Sequence, residues 1–592
     1  MIEQPSAGPR PSRRGAAFRR VRTFGRARDG NVALWFALML LPLLLAVGAA
    51  IDYARAATLR AKLQQATDAA ILAVAPLAGQ KTDAELKALA ESYLRSAMKE
   101  ALDTMGGRDA HVESIVVTSD RGDVTITSSA VYDPVFMNIG ALRQQTITLG
   151  TLSRSLASDV NYEIALVIDN SGSMGNKAGS GWRAPTKMAA TKTAALSLID
   201  AMFSTTSGAS RTRISLVPFN LSVEVGTEYA RYPWTDTEGK SSIHWDGITF
   251  EKPVNPPAKQ PGWPPKSRFD LFDELKRGNA SYGWGGCFEM RPGDWGVNDL
   301  PPTTADYDSF FVPQFAPDEP DANNGDDYIF GSGRRKTTWR YPNSYLDDNS
   351  NSACSDEETG AGDYVKAQTK LCKYKYKQKF TTPQLDDGGP NYMCNVQPLT
   401  RLTSDKDAIE TKINQMVADG TTNLVEGFMW GWRTISPNAP FTDGQPYQTR
   451  NNRKVIIFMT DGMNVWSTAK QVNEDARDNH DKSQYSPFGY YISNRLTAND
   501  ERISNATEAA EAMDAKTLEA CTNAKAAGIL VYTVGFDTGS DITEQGRQLL
   551  KDCASPDPSG TQKLAYIATN SGDIIKVFND IAHQLGALRL AQ

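Results

Sequence analysis

Three short stretches carry oxygen donors in a pattern that suits a hard cation. Asp169, Ser171 and Ser173 stand as Asp-x-Ser-x-Ser directly after the apolar run YEIALVI at 162–168. Thr422 lies in the Gly-containing loop DGTTN. Asp461 follows the apolar run KVIIFM at 454–459, within Thr460-Asp461-Gly462. Two carboxylates, two or three hydroxyls and water suit an octahedral cation such as Mg²⁺, with Mn²⁺ as the alternative. Alternate side chains of an extended loop point the same way, so the Asp169 loop can present its donors together. A helix starting after that loop brings a positive dipole end, which favours an anion as the metal's outer ligand. Taken singly, Asp-x-Ser-x-Ser is also an N-cap with a loop, and Asp461-Gly462 is also a turn. Three motifs in chain order, each at a strand end or an adjoining loop, favour the site.

Such residues need a frame of strands that end together. Strands are expected at 162–168, 213–219, 454–459, 529–534 and 564–567. Helices are expected at about 186–203 and 405–417, after the start of DGTTNLVEGF (419–428) to about Trp432, and at 506–527, 543–551 and 574–585. This alternation predicts an α/β fold: a mostly parallel sheet flanked by helices, with ligands bound beyond the carboxyl ends of the strands. A short strand near Leu221–Val225, close behind RISLVPF, is expected to form a hairpin and supply one antiparallel edge. The domain is expected over 159–588. Residues 231–396 interrupt it: they lose periodicity, are rich in Gly, Pro, Asp and Asn, and hold six of the 11 Trp. A structureless loop of that length is unfavourable, so an inserted irregular subdomain, stapled by cysteines and packed on aromatics, is expected.

Upstream, Val32–Ile51 is a run of 20 residues without a charge. At 1.5 Å per residue it spans about 30 Å, the thickness of a bilayer core. Residues 1–30 carry eight Arg against Glu3 and Asp29, which places the N-terminus on the cytoplasmic side. The segments are therefore a cytoplasmic tail at 1–30, a transmembrane helix at 31–51, and a long helix plus a small α+β unit at 52–156. A cleaved signal peptide is the competing reading, but the apolar run exceeds a typical signal core and continues into a helix. Leu59, Leu63, Ala66, Ala70 and Val74 form one apolar stripe, so anchor and stripe are expected as one helix ending before Pro76. A second helix is expected over 83–102, capped by Asp83. Residues 111–156 alternate as strands, which gives the unit a pilin-like layout.

Composition excludes several functions. The whole-chain net charge of −6 leaves −12 outside the basic N-terminus, so nucleic-acid binding is not expected. Four scattered His and no CxxC argue against a zinc site. Six Cys, all beyond the anchor, suit an oxidising compartment. Cys521 and Cys553 flank one strand–helix unit and can pair; Cys287, Cys354, Cys372 and Cys394 allow three pairings. No Walker A, HExxH or G-x-S-x-G motif is present, so an enzyme is not expected. The acidic cluster around Gly325 fails EF-hand spacing and reads as a solvated turn, and KYKYKQK at 373–379 reads as a surface strand.

The segments VIDNSGSM, DGTTN and FMTDG resemble the three metal-site loops of the von Willebrand factor A domain. The resemblance implies a metal-ion-dependent adhesion site in which Ser171, Ser173 and Thr422, with Thr421 as the alternative threonine, ligate Mg²⁺ or Mn²⁺. It further implies that Asp169 and Asp461 act through water and that a partner's Asp or Glu supplies the last ligand. The extension GNKAGSGWRAPT at 175–186 departs from the family by lengthening the path from Ser173 to the helix. The text RDGNVALWFALMLLPLLLAVGAAIDYARA, with LQQATDAAILA and MWGWRTISP, resembles TadE/TadG-like proteins of the tight-adherence (Flp) pilus system. Pseudopilins of that system carry Glu five residues after a Gly cleavage point, whereas Trp35 stands five after Gly30, which favours a retained anchor. The resemblance implies a single-pass bacterial inner-membrane protein, periplasmic in bulk, that aids pilus assembly or anchoring by binding a pilus-system protein. The alternatives are a surface adhesin for host or matrix ligands and a metal-dependent phosphoesterase.

Overall fold

The computed structural model describes residues 31–77, 81–104, 110–120, 123–136, 146–155, 160–203 except 180, 211–248, 265–319, 328–330, 337–339, 343, 345–346, 370–374, 389–467, 483–496, 503–557 except 540, and 561–590. Cys354, Trp263, the acidic residues from Asp321 to Asp327 and KYKYKQK beyond Tyr374 lie outside them. The chain forms two compact units that divide between Ala157 and Ser158.

In the first unit, α1 (Asn31–Val74) runs unbroken through Pro42 and gives way to a short 3₁₀ turn at Ala75–Leu77, as Pro76 requires. By length and composition α1 is able to cross a membrane. The stripe Leu59, Leu63, Ala66, Ala70 and Val74 is buried, and it meets Leu86, Ala90, Leu94 and Met98 of α2 (Asp83–Thr104). Three antiparallel strands, β1 (Ala110–Asp120), β2 (Asp123–Tyr132) and β3 (Ile147–Ser155), form a meander that completes this core. A buried hydroxyl trio, Thr67, Ser128 and Thr151, satisfies its own polar atoms at 2.7–3.1 Å where α1 crosses the sheet. The cap of α2 differs from expectation. Thr82, not Asp83, sits before the helix: its hydroxyl accepts from the Glu85 backbone N–H while Glu85 Oε2 accepts from the Thr82 N–H. This is a reciprocal capping box, which satisfies two orphan donors where an Asp83 cap would satisfy one.

The second unit is the α/β domain. Its elements in chain order are β4 (Asn161–Asp169), α3 (Lys187–Phe203), β5 (Thr212–Phe219), α4 (Arg268–Gly278), the small pair β6 (Tyr328–Phe330) and β7 (Thr337–Trp339), then β8 (Thr400–Thr403) and α5 (Lys406–Gln415). There follow α6 (Leu424–Ile435), β9 (Asn452–Thr460), α7 (Ala506–Ala526), β10 (Leu530–Phe536), α8 (Glu544–Cys553), β11 (Ala565–Ala568) and α9 (Ser571–Leu590). The six-stranded sheet has the order β11-β10-β9-β4-β5-β8 and is parallel except for β8. Helices flank it: α3 packs on α9 and α5, while α6 lies on β4, β5 and β9 beside α7. Every residue of β4 after Asn161 is buried, as a central strand covered on both faces must be.

The antiparallel edge is not the expected hairpin. β8 supplies it, pairing Ile214 with Thr403 and Leu216 with Thr400. Residues 221–225 turn away because the Asn220 side chain accepts the Ser222 N–H at 3.0 Å, an Asx turn that ends the β5 direction. Val225 N–H then donates to Gly286 O instead.

The inserted stretch has an aromatic cluster of its own, with Phe272, Tyr282, Phe315 and Tyr345, and it also shares the main core. Trp234, Phe288 and Phe311 join Trp430 and Phe428 of α6 in one hydrophobic core. The Phe311 and Trp430 rings lie 5.4 Å apart, and those of Phe288 and Trp430 lie 6.1 Å apart. The insertion is also knitted to the stretch around residue 490. Buried Glu289 accepts from Arg268, Arg495 and Tyr485, and Arg495 reaches Asp246 at 2.6 Å. His244 accepts the Arg268 backbone N–H at Nε2, which makes Nδ1 the donor to Asp236. Cys287 pairs with Cys394, and Cys521 pairs with Cys553.

Candidate metal site

β4 and β9 are neighbours in register, Ile168 opposite Met459, so their carboxyl ends put Asp169 and Asp461 side by side. The third loop is drawn in by backbone bonds. Asp419 N–H donates to Asn170 O at 2.7 Å, Gly172 N–H to Gly420 O at 2.9 Å, and Asn423 N–H to Asn220 O at 2.9 Å. Gly420 adopts φ +79°, and a Cβ there would stand 2.7 Å from the Asn220 side chain, so this close approach needs glycine. Asn423 then caps α6 by accepting the Glu426 N–H.

The structure brings the five sequence-derived residues to one place. Ser171 Oγ and Ser173 Oγ are 3.0 Å apart, and Ser173 Oγ donates to Asp461 Oδ1 at 2.7 Å. Asp169 accepts the Ser171 N–H at Oδ1 (2.7 Å) and the Thr460 hydroxyl at Oδ2 (2.6 Å). Thr422 borders the same loops: its carbonyl accepts from Val465 N–H, and its Oγ1 lies 3.8 Å from where a Cβ on Gly462 would stand. The neighbouring Thr421 hydroxyl is buried without a hydrogen-bond partner. Burial first, and the Asp461 carboxylate second, push the Asp169 carboxyl up to about 7. Two buried carboxylates side by side hold more negative charge than their surroundings compensate, which a cation relieves.

The donor set fits a hard cation. It is all oxygen, it holds two carboxylates and three hydroxyls, and one further buried hydroxyl is orphaned. Among the described residues no group of three or more His, Cys, Asp or Glu is arranged to hold a metal, so hydroxyls would carry the coordination. All four carboxylate oxygens of Asp169 and Asp461 already accept hydrogen bonds from the protein.

Sequence reasoning missed Lys187. Its ammonium is fully buried and donates to Asp461 Oδ2 at 2.8 Å and to Asp541 Oδ2 at 2.6 Å. Burial opposes its charge, but the bonds to Asp461 and Asp541 outweigh that and hold its pKa above the usual value. The signal was present: a lysine opening α3 stands at the wrong end of the helix dipole and needs carboxylates nearby. The extension at 175–186 does not separate α3 from the site. Lys187 N–H donates to Asn176 O at 2.7 Å and Ala178 N–H to Pro185 O at 2.8 Å, so the extension is a loop pinched at its base. Its Trp182 is 78% exposed. Beyond Lys187, Asp541 accepts order from Asp537, whose Oδ1 takes the Asp541 N–H and whose Oδ2 takes Arg547.

No curated protein matches the chain significantly. Among solved structures, it is similar to the PilB minor pilin from Streptococcus sanguinis, at 12% identity over 80% of this chain and 78% of that one, with a TM-score of 0.32. It is similar to the vWF domain of the type V pili tip protein Mfa5 from Porphyromonas gingivalis, at 10% identity over 72% and 96%, TM-score 0.30. It is also similar to the adhesive tip pilin GBS104 from Group B Streptococcus agalactiae, at 10% identity over 72% and 100%, TM-score 0.27. Residues 30–78 match the family described as putative Flp pilus-assembly TadE/G-like, and this match supports the Tad pilus-assembly family and membrane anchoring through α1.

Proposed function

We propose that this chain is an inner-membrane-anchored, periplasmic protein that supports assembly or anchoring of a Flp-type pilus by metal-dependent binding of a protein partner. The observation that carries the reading is the meeting of Asp169, Ser171, Ser173, Thr422 and Asp461 at the carboxyl edge of the parallel sheet. The TadE/G-like match at 30–78 supports the pilus-related role. In this reading Ser171, Ser173 and Thr422 would hold Mg²⁺ or Mn²⁺. Asp169 and Asp461, whose oxygens are taken by protein donors, would act through water. The cation would supply a coordination position for a carboxylate of the partner. The chain's own residues do the positioning: Ser171 N–H and Thr460 orient Asp169, while Ser173 and Lys187 orient Asp461. Lys187 is spent on Asp461 and Asp541, so the positive charge that would favour an acidic side chain over a neutral one is the cation's own. The basic N-terminus would lie in the cytoplasm and the α/β domain in the periplasm. The reading is of a binding protein, not an enzyme.

The test is capture of crosslinked partners from membranes of pilus-forming cells. Capture in Mg²⁺ is expected, with its loss both in EDTA and in Asp169→Ala, whose circular dichroism should match the parent. Undiminished capture in EDTA would sink the proposal.

A further inference from the structure

Between Trp35 and Ile51 the side chains of α1 are largely exposed, and among the described residues of that stretch Gly48 alone is buried. Phe136 covers it: a Cβ on Gly48 would stand 2.6 Å from Phe136 Cβ. Phe136 comes from the loop after β2, and it remains 38% exposed, with Val135 beside it 42% exposed. The loop's backbone is tied to α1. Val135 N–H donates to Asp52 Oδ1 at 3.1 Å and Phe136 N–H to Asp52 Oδ2 at 2.7 Å. The Tyr132 hydroxyl donates to the same carboxylate at 3.2 Å, and Asp52 is fully buried.

The level of this loop along α1 is informative. Asp52 is the first charge after the uncharged run, and Arg55 is the first exposed one. Tyr53, 76% exposed, stands between them, where an interfacial aromatic belongs. Gly48 lies one turn, about 6 Å, to the apolar side of Asp52. Phe136 therefore sits below the level that the charges and Tyr53 mark as the membrane surface. A loop at that depth needs its N–H groups satisfied from within the protein, because lipid offers no acceptors. Asp52 accepts both. Exposed Val and Phe side chains, unfavourable in water, gain by burial there.

We propose that Val135 and Phe136 form a second membrane contact: these two residues, just after β2, insert into the interfacial region of the bilayer that α1 spans. The proposal rests on the reading of α1 as a membrane span. Its consequence is that the first unit is held against the membrane at two points, which restricts its tilt and rotation.

No described cysteine is free, so a single introduced thiol can be labelled selectively. The experiment places a nitroxide on Val135→Cys, Leu44→Cys or Leu72→Cys in the full chain, reconstituted in nanodiscs of phosphatidylcholine and phosphatidylglycerol. Leu44 and Leu72 are exposed positions of α1 within and well beyond the uncharged run. Relaxation by oxygen, which partitions into lipid, is compared with relaxation by a water-soluble nickel chelate. The expected result is a Val135 label shifted toward oxygen, nearer to Leu44 than to Leu72. A Val135 label that reads like Leu72, while Leu44 reads as lipid, overturns the proposal and leaves the span intact. An aqueous reading at Leu44 overturns the span, and the proposal with it.

Discussion

Lys187→Met should destabilise the α/β domain by roughly 3–5 kcal/mol in EDTA, the scale of breaking a buried ion pair from one side. The ammonium is the cation that the structure places against Asp461, and both groups are fully buried. Without it, Asp461 keeps the Ser173 hydroxyl but no compensating charge, beside an Asp169 carboxyl that burial has already raised. Asp541, in the loop before α8, loses the same partner, but it is 40% exposed and water can replace the bond. A divalent cation would restore part of the missing charge, so Mg²⁺ should narrow the gap between variant and parent. Urea unfolding in EDTA and in Mg²⁺ measures both effects. A variant as stable as the parent in EDTA would show that Lys187 is not the counter-cation of the site.

The second large effect concerns the insertion. Removing the Cys287–Cys394 bond by a double Ser substitution should cost about 4–5 kcal/mol, because it frees a loop of 107 residues in the unfolded chain. The Cys521–Cys553 bond closes only 32 and should contribute less. The native consequences differ as well. Gly286 O, next to Cys287, accepts the Val225 N–H just after β5, and Cys394 lies beside Gly285, so the bond clips both arms of the insertion to the sheet domain. Denaturant unfolding, with limited proteolysis to locate the opened segment, checks this. Equal losses from the two bonds, or early cleavage outside 231–396, would contradict it.

The frame of the site was legible in the sequence because strands buried on both faces are written as unbroken apolar runs. YEIALVI and KVIIFM could be little else; the first runs directly into Asp169 and the second reaches Asp461 after Thr460. The stripe from Leu59 to Val74 was equally plain, since a helix with one buried face repeats at three and four residues. β8 was not legible. Four residues, TRLT, carry no period, and only pairing with β5 makes them a strand. The Leu221–Val225 segment misled for the converse reason: its alternation reflects packing against the insertion, while the Asn220 turn denies it a partner strand. The insertion was legible as irregular and aromatic, but not as part of the main core. Its rings pack on Trp430, more than a hundred residues away from Phe311 in sequence, and such contacts leave no local pattern. Lys187 was legible as a charge at the wrong end of α3, but its partners were not, since the two carboxylates arrive from loops 274 and 354 residues downstream.

The proposed function depends on divalent-cation binding by the five oxygen-bearing residues. Its most direct test is calorimetric titration of Mg²⁺ into the full chain in nanodiscs, beside the same chain carrying Asp169→Ala. Saturable binding at one site is expected in the parent and none in the variant. Equal heats in the two proteins, or binding unaffected by the loss of Asp169, would contradict it.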